Sequence, residues 1–171
     1  MVTNPSPKYN LQYSYSIKTV FHFKVYLFIC TSKMLMNLIF ESRHKPNMGI
    51  YLKILALFYL YGATVHYANL LGFGEIPFRE SPLSWQVGDI SYGILSTLTF
   101  TGLWLKTRWG IISFFLSAFS QLILYLGFPQ WFAFNLEQRQ LLWSMVIFHL
   151  VTLLIFFGLL LLTRRNEQYN S

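Results

Sequence analysis

The stretch VGDISYGILSTLTFTGLWLKTRWGIISFFLSAFSQLILYLGF, residues 87–128, decides the fold. Val87–Leu105 and Trp109–Phe128 are apolar runs separated only by Lys106, Thr107 and Arg108. At about 1.5 Å per residue, a helix of about 20 residues crosses a hydrocarbon core. A connection this short forces the two runs into a tight antiparallel hairpin, with its two cations at the water interface.

Two further runs of the same kind flank the hairpin, Ile50–Leu71 and Leu141–Leu162. None of the four contains proline; Pro77, Pro82 and Pro129 all fall in connections, where a missing N–H costs little. Apolar residues make up 54% of the chain and charged ones 11%, against about 25% charged in a soluble domain. The reading is therefore all-α: an integral membrane four-helix bundle over residues 48–171.

Lysine and arginine orient it. Arg43, Lys45, Lys53, Lys106, Arg108, Arg164 and Arg165 lie on one side, and Arg79 and Arg139 on the other. Seven against two places both termini and the short hairpin turn in the cytoplasm. Trp85, Trp131 and Trp143 mark the outer interface and Trp104 and Trp109 the inner one. The net charge of +7 thus sits at the ends of the apolar runs and forms no basic stripe, which argues against nucleic-acid binding. Cys30 is the single cysteine, so no intrachain disulfide or thiolate cluster can form.

Residues 1–47 differ in kind, rich in Tyr, Phe, Asn, Lys and Ile with one acid, Glu41. Val25–Phe40 is broken by Thr31, Ser32 and Lys33 and is too polar for a span. We read this segment as a peripheral extension, or as untranslated sequence upstream of a start at Met48.

Ionisable groups inside spans are costly and mark function by default. His66 lies about 8 Å from the outer end of its run, Gln121 about 10 Å and His149 about 12 Å, while Asp89 opens the second run. Antiparallel packing brings His66, Asp89, Gln121 and His149 into one outer layer. Helical spacing adds Ser113, Ser117 and Tyr125 on the face of Gln121, Tyr59 and Gly62 beside His66, and Thr152 beside His149. Tyr92, Gly93 and Ser96 share the face of Asp89. The centre is then polar toward the outside and apolar toward the cytoplasm.

Three uses compete for this layer. Its members hydrogen-bond one another across helices and set the register. Alternatively, they line an outward pocket in which Asp89 favours the charged form of a histidine that exchanges protons with a quinone or lipid-like molecule. A third use, haem held axially by His66 and His149, is not demanded by their spacing. Zinc lacks thiolates and has a single nearby carboxylate. Nucleotide-loop, hydrolase-elbow and zincin motifs are absent. The connection Phe73–Gln86 mixes Ile76, Phe78, Leu83 and Trp85 with charges, and with Phe128–Phe134 it is expected to fold over the outer mouth.

From Met48 onward, the glycine-punctuated second run entering the basic turn, Gly102-Leu103-Trp104-Leu105-Lys106-Thr107-Arg108-Trp109-Gly110, resembles the DoxX-like group of small four-helix membrane proteins. That resemblance implies a bacterial inner-membrane setting and allows quinone association, and it carries over no catalytic residue. The expected function is a non-enzymatic accessory or assembly component, as of a redox system. It would work with a membrane-protein partner or as a homo-oligomer. The alternative is a quinone- or lipid-binding membrane oxidoreductase built on the outer layer.

Overall fold

The computed structural model describes residues 33–34, 36–74 and 76–169, with side chains to Arg165. Two compact units divide the chain after Ile39. The expectation for residues 1–47 therefore falls largely outside the described residues; of the first unit, 33–34 and 36–39 are helical. Everything below concerns the second unit.

Among the described residues all regular structure is helical. Four long helices, α1 (Pro46–Leu70), α2 (Leu83–Trp104), α3 (Arg108–Gly127) and α4 (Leu136–Tyr169), carry the unit, with a 3₁₀ turn at Pro129–Trp131. Each packs on the next, and α1 also meets α4.

Local chemistry sets the boundaries. Pro46 occupies the first turn of α1, where its fixed φ suits the helix and no N–H is missed, so α1 begins a turn before the apolar run. Thr107 caps α3: its Oγ1 accepts from Gly110 N at 3.2 Å and donates to Gly102 O at 3.0 Å. At the start of α4, Asn135 Oδ1 accepts from Gln138 N and Gln138 Oε1 accepts from Phe134 N, both at 2.8 Å. This reciprocal capping starts α4 at Leu136, five residues before the apolar run.

The hairpin has the tightest packing. Lys106 takes a left-handed φ of 52°, reversing the chain in one residue. Gly102 and Gly110 then bring the α2 and α3 backbones into direct contact, and a Cβ on either would overlap the other's main chain.

α1, α3 and Leu136–Arg165 of α4 are long and apolar enough to cross a membrane, which marks the chain as an integral membrane protein. α2 has the length, at 22 residues, but not the apolarity, because Ser84, Gln86, Asp89, Ser91, Ser96, Thr97, Thr99 and Thr101 interrupt it. Burial runs inward to Leu52, Leu55, Leu103, Phe114, Phe156 and Leu160. Meanwhile Ile54, Leu57, Phe58, Leu98, Ile112, Leu116, Ile123 and Leu154 remain exposed. An apolar core inside an equally apolar outer surface fits lipid, not water, as the surrounding solvent.

One expectation is corrected. The interior is not polar at the His66 end alone: Thr99, Ser113 and Thr152 are buried toward the hairpin end. Their hydroxyls donate to Leu95 O, Gly110 O and His149 O within their own helices. Such hydroxyls satisfy themselves locally, so they can sit in an apolar layer without partners across helices.

Candidate functional site

At the end of the helices away from the hairpin, a cavity of about 200 Å³ opens between α1, α2 and the start of α4. Val65, Trp85, Phe132, Leu141, Leu142 and Met145 form its apolar wall. His66, Asn69, Asp89, Tyr92, Tyr125 and Gln138 supply the polar groups. A mainly apolar cavity with a few convergent polar groups is the usual form of a small-molecule site.

Its polar centre is Asp89. His66 Nδ1 lies 2.8 Å from Asp89 Oδ1, and Asn69 Nδ2 donates to the same oxygen at 3.1 Å. Facing a carboxylate, His66 must carry its proton on Nδ1, which leaves Nε2 as the ring's other polar atom. His66 and Asn69 are three residues apart on α1 and so share a face. Together they tie α1 to α2. The His66 ring stacks on Tyr92, centroids 6.1 Å apart and planes at 29°, and Tyr92 donates to Ser120 Oγ on α3 at 3.2 Å. The His66 and Asp89 side chains are 20% and 13% exposed, sheltered yet reachable.

The α3–α4 connection closes one side. Ser84 donates to Trp131 O at 2.6 Å, Trp131 stacks on Phe128 at 4.6 Å, and Phe132 packs edge-on against Tyr125 at 5.6 Å. Phe132 thereby reaches the wall, as expected of a segment folding over the mouth. Within the other connection, Trp85 reaches the cavity, but Phe73 and Leu83 are 81% and 75% exposed and cover nothing there. Its tight turns, Ser81 Oγ to Phe78 O and Gln86 Nε2 to Ser81 O, hold it apart as a local structure.

The four residues expected in one layer form two separate pairs. His66 and Asp89 meet at the cavity; His149 and Gln121 meet in the interior, His149 Nε2 donating to Gln121 Oε1. Gln121 and His149 are 7% and 3% exposed, and neither lines the cavity. Similar depth along antiparallel helices does not fix direction around their axes, and here α3 and α4 turn their polar faces toward each other. The two histidines thus have different neighbours, one at the cavity and one in the interior. Among the described residues, no three of His, Cys, Asp and Glu cluster closely enough to hold a metal.

Asn69 and Gln138 belong to the site and were not expected there. The i, i+3 spacing of His66 and Asn69, and the Asn135-x-x-Gln138 capping pattern, are the signals that identify them.

No curated protein and no solved structure matches the chain. A family of unknown function, DUF6163, matches residues 46–167, a span that holds all four helices up to the last residues of α4, and the chain belongs to that family.

Proposed function

We propose that this is a small integral membrane accessory protein that holds an amphipathic ring compound of the quinone class in the cavity beside His66 and Asp89. The observation that carries the reading is the His66–Asp89 pair, 2.8 Å apart, set in a mainly apolar wall. A quinone needs such a wall for its ring and one or two hydrogen-bonding groups for its oxygens. His66 Nε2 suits a quinone oxygen, and the bond to Asp89 fixes the orientation of the imidazole. Tyr125 adds an aromatic hydroxyl to the same wall.

The reading extends to the membrane. Four spans, α2 included, form one bundle, with the seven cations of the hairpin end in the cytoplasm and the cavity opening at the outer face. Asp89 is tolerated because His66 and Asn69 of α1 bond it, and the threonines of α2 donate to carbonyls of their own helix. We place the chain in a bacterial inner membrane, on the resemblance of its Gly102–Gly110 stretch to the DoxX-like group. Oxidation of the bound quinol, the second reading, is favoured by the same pair, since an imidazole backed by a carboxylate is a competent acceptor for a quinol proton while two electrons leave. It also requires an electron acceptor on a membrane-protein partner.

Native mass spectrometry of protein gently extracted from its own membrane tests the proposal. We expect one bound molecule of quinone mass per chain, lost in Asp89→Asn. A phospholipid in its place would move the reading to lipid binding, and a stoichiometric protein partner with no small molecule would leave the accessory role alone.

A further inference from the structure

Three buried polar atoms where α1, α3 and α4 meet make no hydrogen bond to protein: the Tyr59 hydroxyl, the Ser117 hydroxyl and His149 Nδ1. Their residues are 4%, 0% and 3% exposed. One stripe of α3 gathers them. The Tyr59 ring meets Phe114 edge-on at 6.1 Å, and its hydroxyl lies beside that of Ser117, one turn along, without completing a well-formed hydrogen bond to it. A further turn along, Gln121 accepts from His149 Nε2, so the neutral imidazole presents Nδ1 as a bare acceptor. On α4, Phe156 packs on Phe114 at 5.8 Å, in register with the Gln121–His149 pair.

The three atoms are chemically complementary to one small molecule. Nδ1 can only accept, the phenol donates well, and the serine does either. A water donates to Nδ1, accepts from Tyr59 and bonds Ser117, which is the usual three-bond coordination of a buried water. Polar gaps just beyond bonding distance are commonly bridged in this way.

We propose that Tyr59, Ser117 and His149 form a binding site for a single structural water inside the helices, separate from the cavity at their end. Polar groups then run between the two places. The Ser120 hydroxyl donates to Ser117 O at 3.1 Å and accepts from Tyr92, whose ring stacks on His66.

The test is solid-state NMR on the full chain in lipid, with carbon- and nitrogen-labelled histidine and nitrogen-labelled leucine. His149–Leu150 is the one His-Leu step in the sequence, so the labels single it out. Magnetisation transfer from water protons to His149 Nδ1 is expected, and it should be lost in Tyr59→Phe, which keeps the ring packed on Phe114. Absence of transfer in the wild type, transfer from a tyrosine or serine hydroxyl instead, or undiminished transfer in the folded Tyr59→Phe protein would overturn the site. The wild-type spectrum alone decides if the variant does not fold. Ligand binding at the cavity is not read by this experiment, so its outcome bears on the water site only.

Discussion

His66 donates through Nδ1 to Asp89 Oδ1 at 2.8 Å, joining α1 to α2 beside the cavity that opens between them. The pair has two consequences, for binding and for stability. Asp89→Asn removes the negative charge and weakens the bond to His66 while leaving Asn69 within reach. Hydrogen bonds to charged groups contribute about 1.5–3 kcal/mol, so quinone affinity should fall about tenfold or more. Thermal unfolding in detergent should drop by only a few degrees, because the pair is partly exposed.

The glycine contact makes a sharper prediction for stability. Gly102→Ala or Gly110→Ala drives a methyl group into the opposite backbone, which cannot rotate away as a side chain could. Overpacking of this kind costs about 1–3 kcal/mol or more. Either variant should unfold well below the wild type, measured by thermal scanning in detergent. Lys106→Gly should do the reverse, raising stability by about 1 kcal/mol, since glycine adopts the left-handed φ of 52° without strain.

Gln121 and His149 are a structural pair in this account. Gln121→Leu alone strands the His149 ring in the interior and should cost about 1–3 kcal/mol. The double variant Gln121→Leu with His149→Leu replaces both partners by apolar groups and should recover much of that loss. A double-mutant cycle on unfolding free energies measures the coupling. Neither change should alter affinity at the cavity, which these residues do not line.

Asn135→Ala removes the cap of α4 and frees Gln138. About 1 kcal/mol of stability should be lost. Because Gln138 and the adjoining Phe132 line the cavity, quinone dissociation should also become faster, measurable by stopped-flow.

Much of this architecture is legible in the residues, and the gaps have physical causes. Apolar length marks α1, α3 and α4, and the three-residue basic turn fixes the α2–α3 hairpin. α2 is the exception: it reads as an apolar run from Val87 to Leu105, yet glycines and hydroxyls that pack well inside lower its apolarity below that of the other three. Ionisable residues are conspicuous in an apolar run, which singles out His66, Asp89 and His149. Asn69 and Gln138 are uncharged amides near helix ends, where polar residues are ordinary, so they pass unnoticed. The split into two pairs was not legible. Depth follows from counting along a helix, but the direction of a side chain around it depends on packing that residues like Phe114 and Tyr59 settle only in three dimensions.

The orientation of the spans is open to direct chemistry. Cysteines introduced one at a time at Thr107 and at Arg79, in a Cys30→Ser background, should react from opposite sides of sealed vesicles with an impermeant maleimide. Thr107 should label from the cytoplasmic side; labelling of both from one side would remove the four-span topology.

The most direct measurement of the central claim is equilibrium binding of a short-chain quinone to the protein in lipid nanodiscs, wild type beside Asp89→Asn. The account predicts saturable binding of one molecule per chain, weakened about tenfold or more in a variant that keeps its fold. No saturable binding to the wild type, or equal affinity in the folded variant, would contradict it.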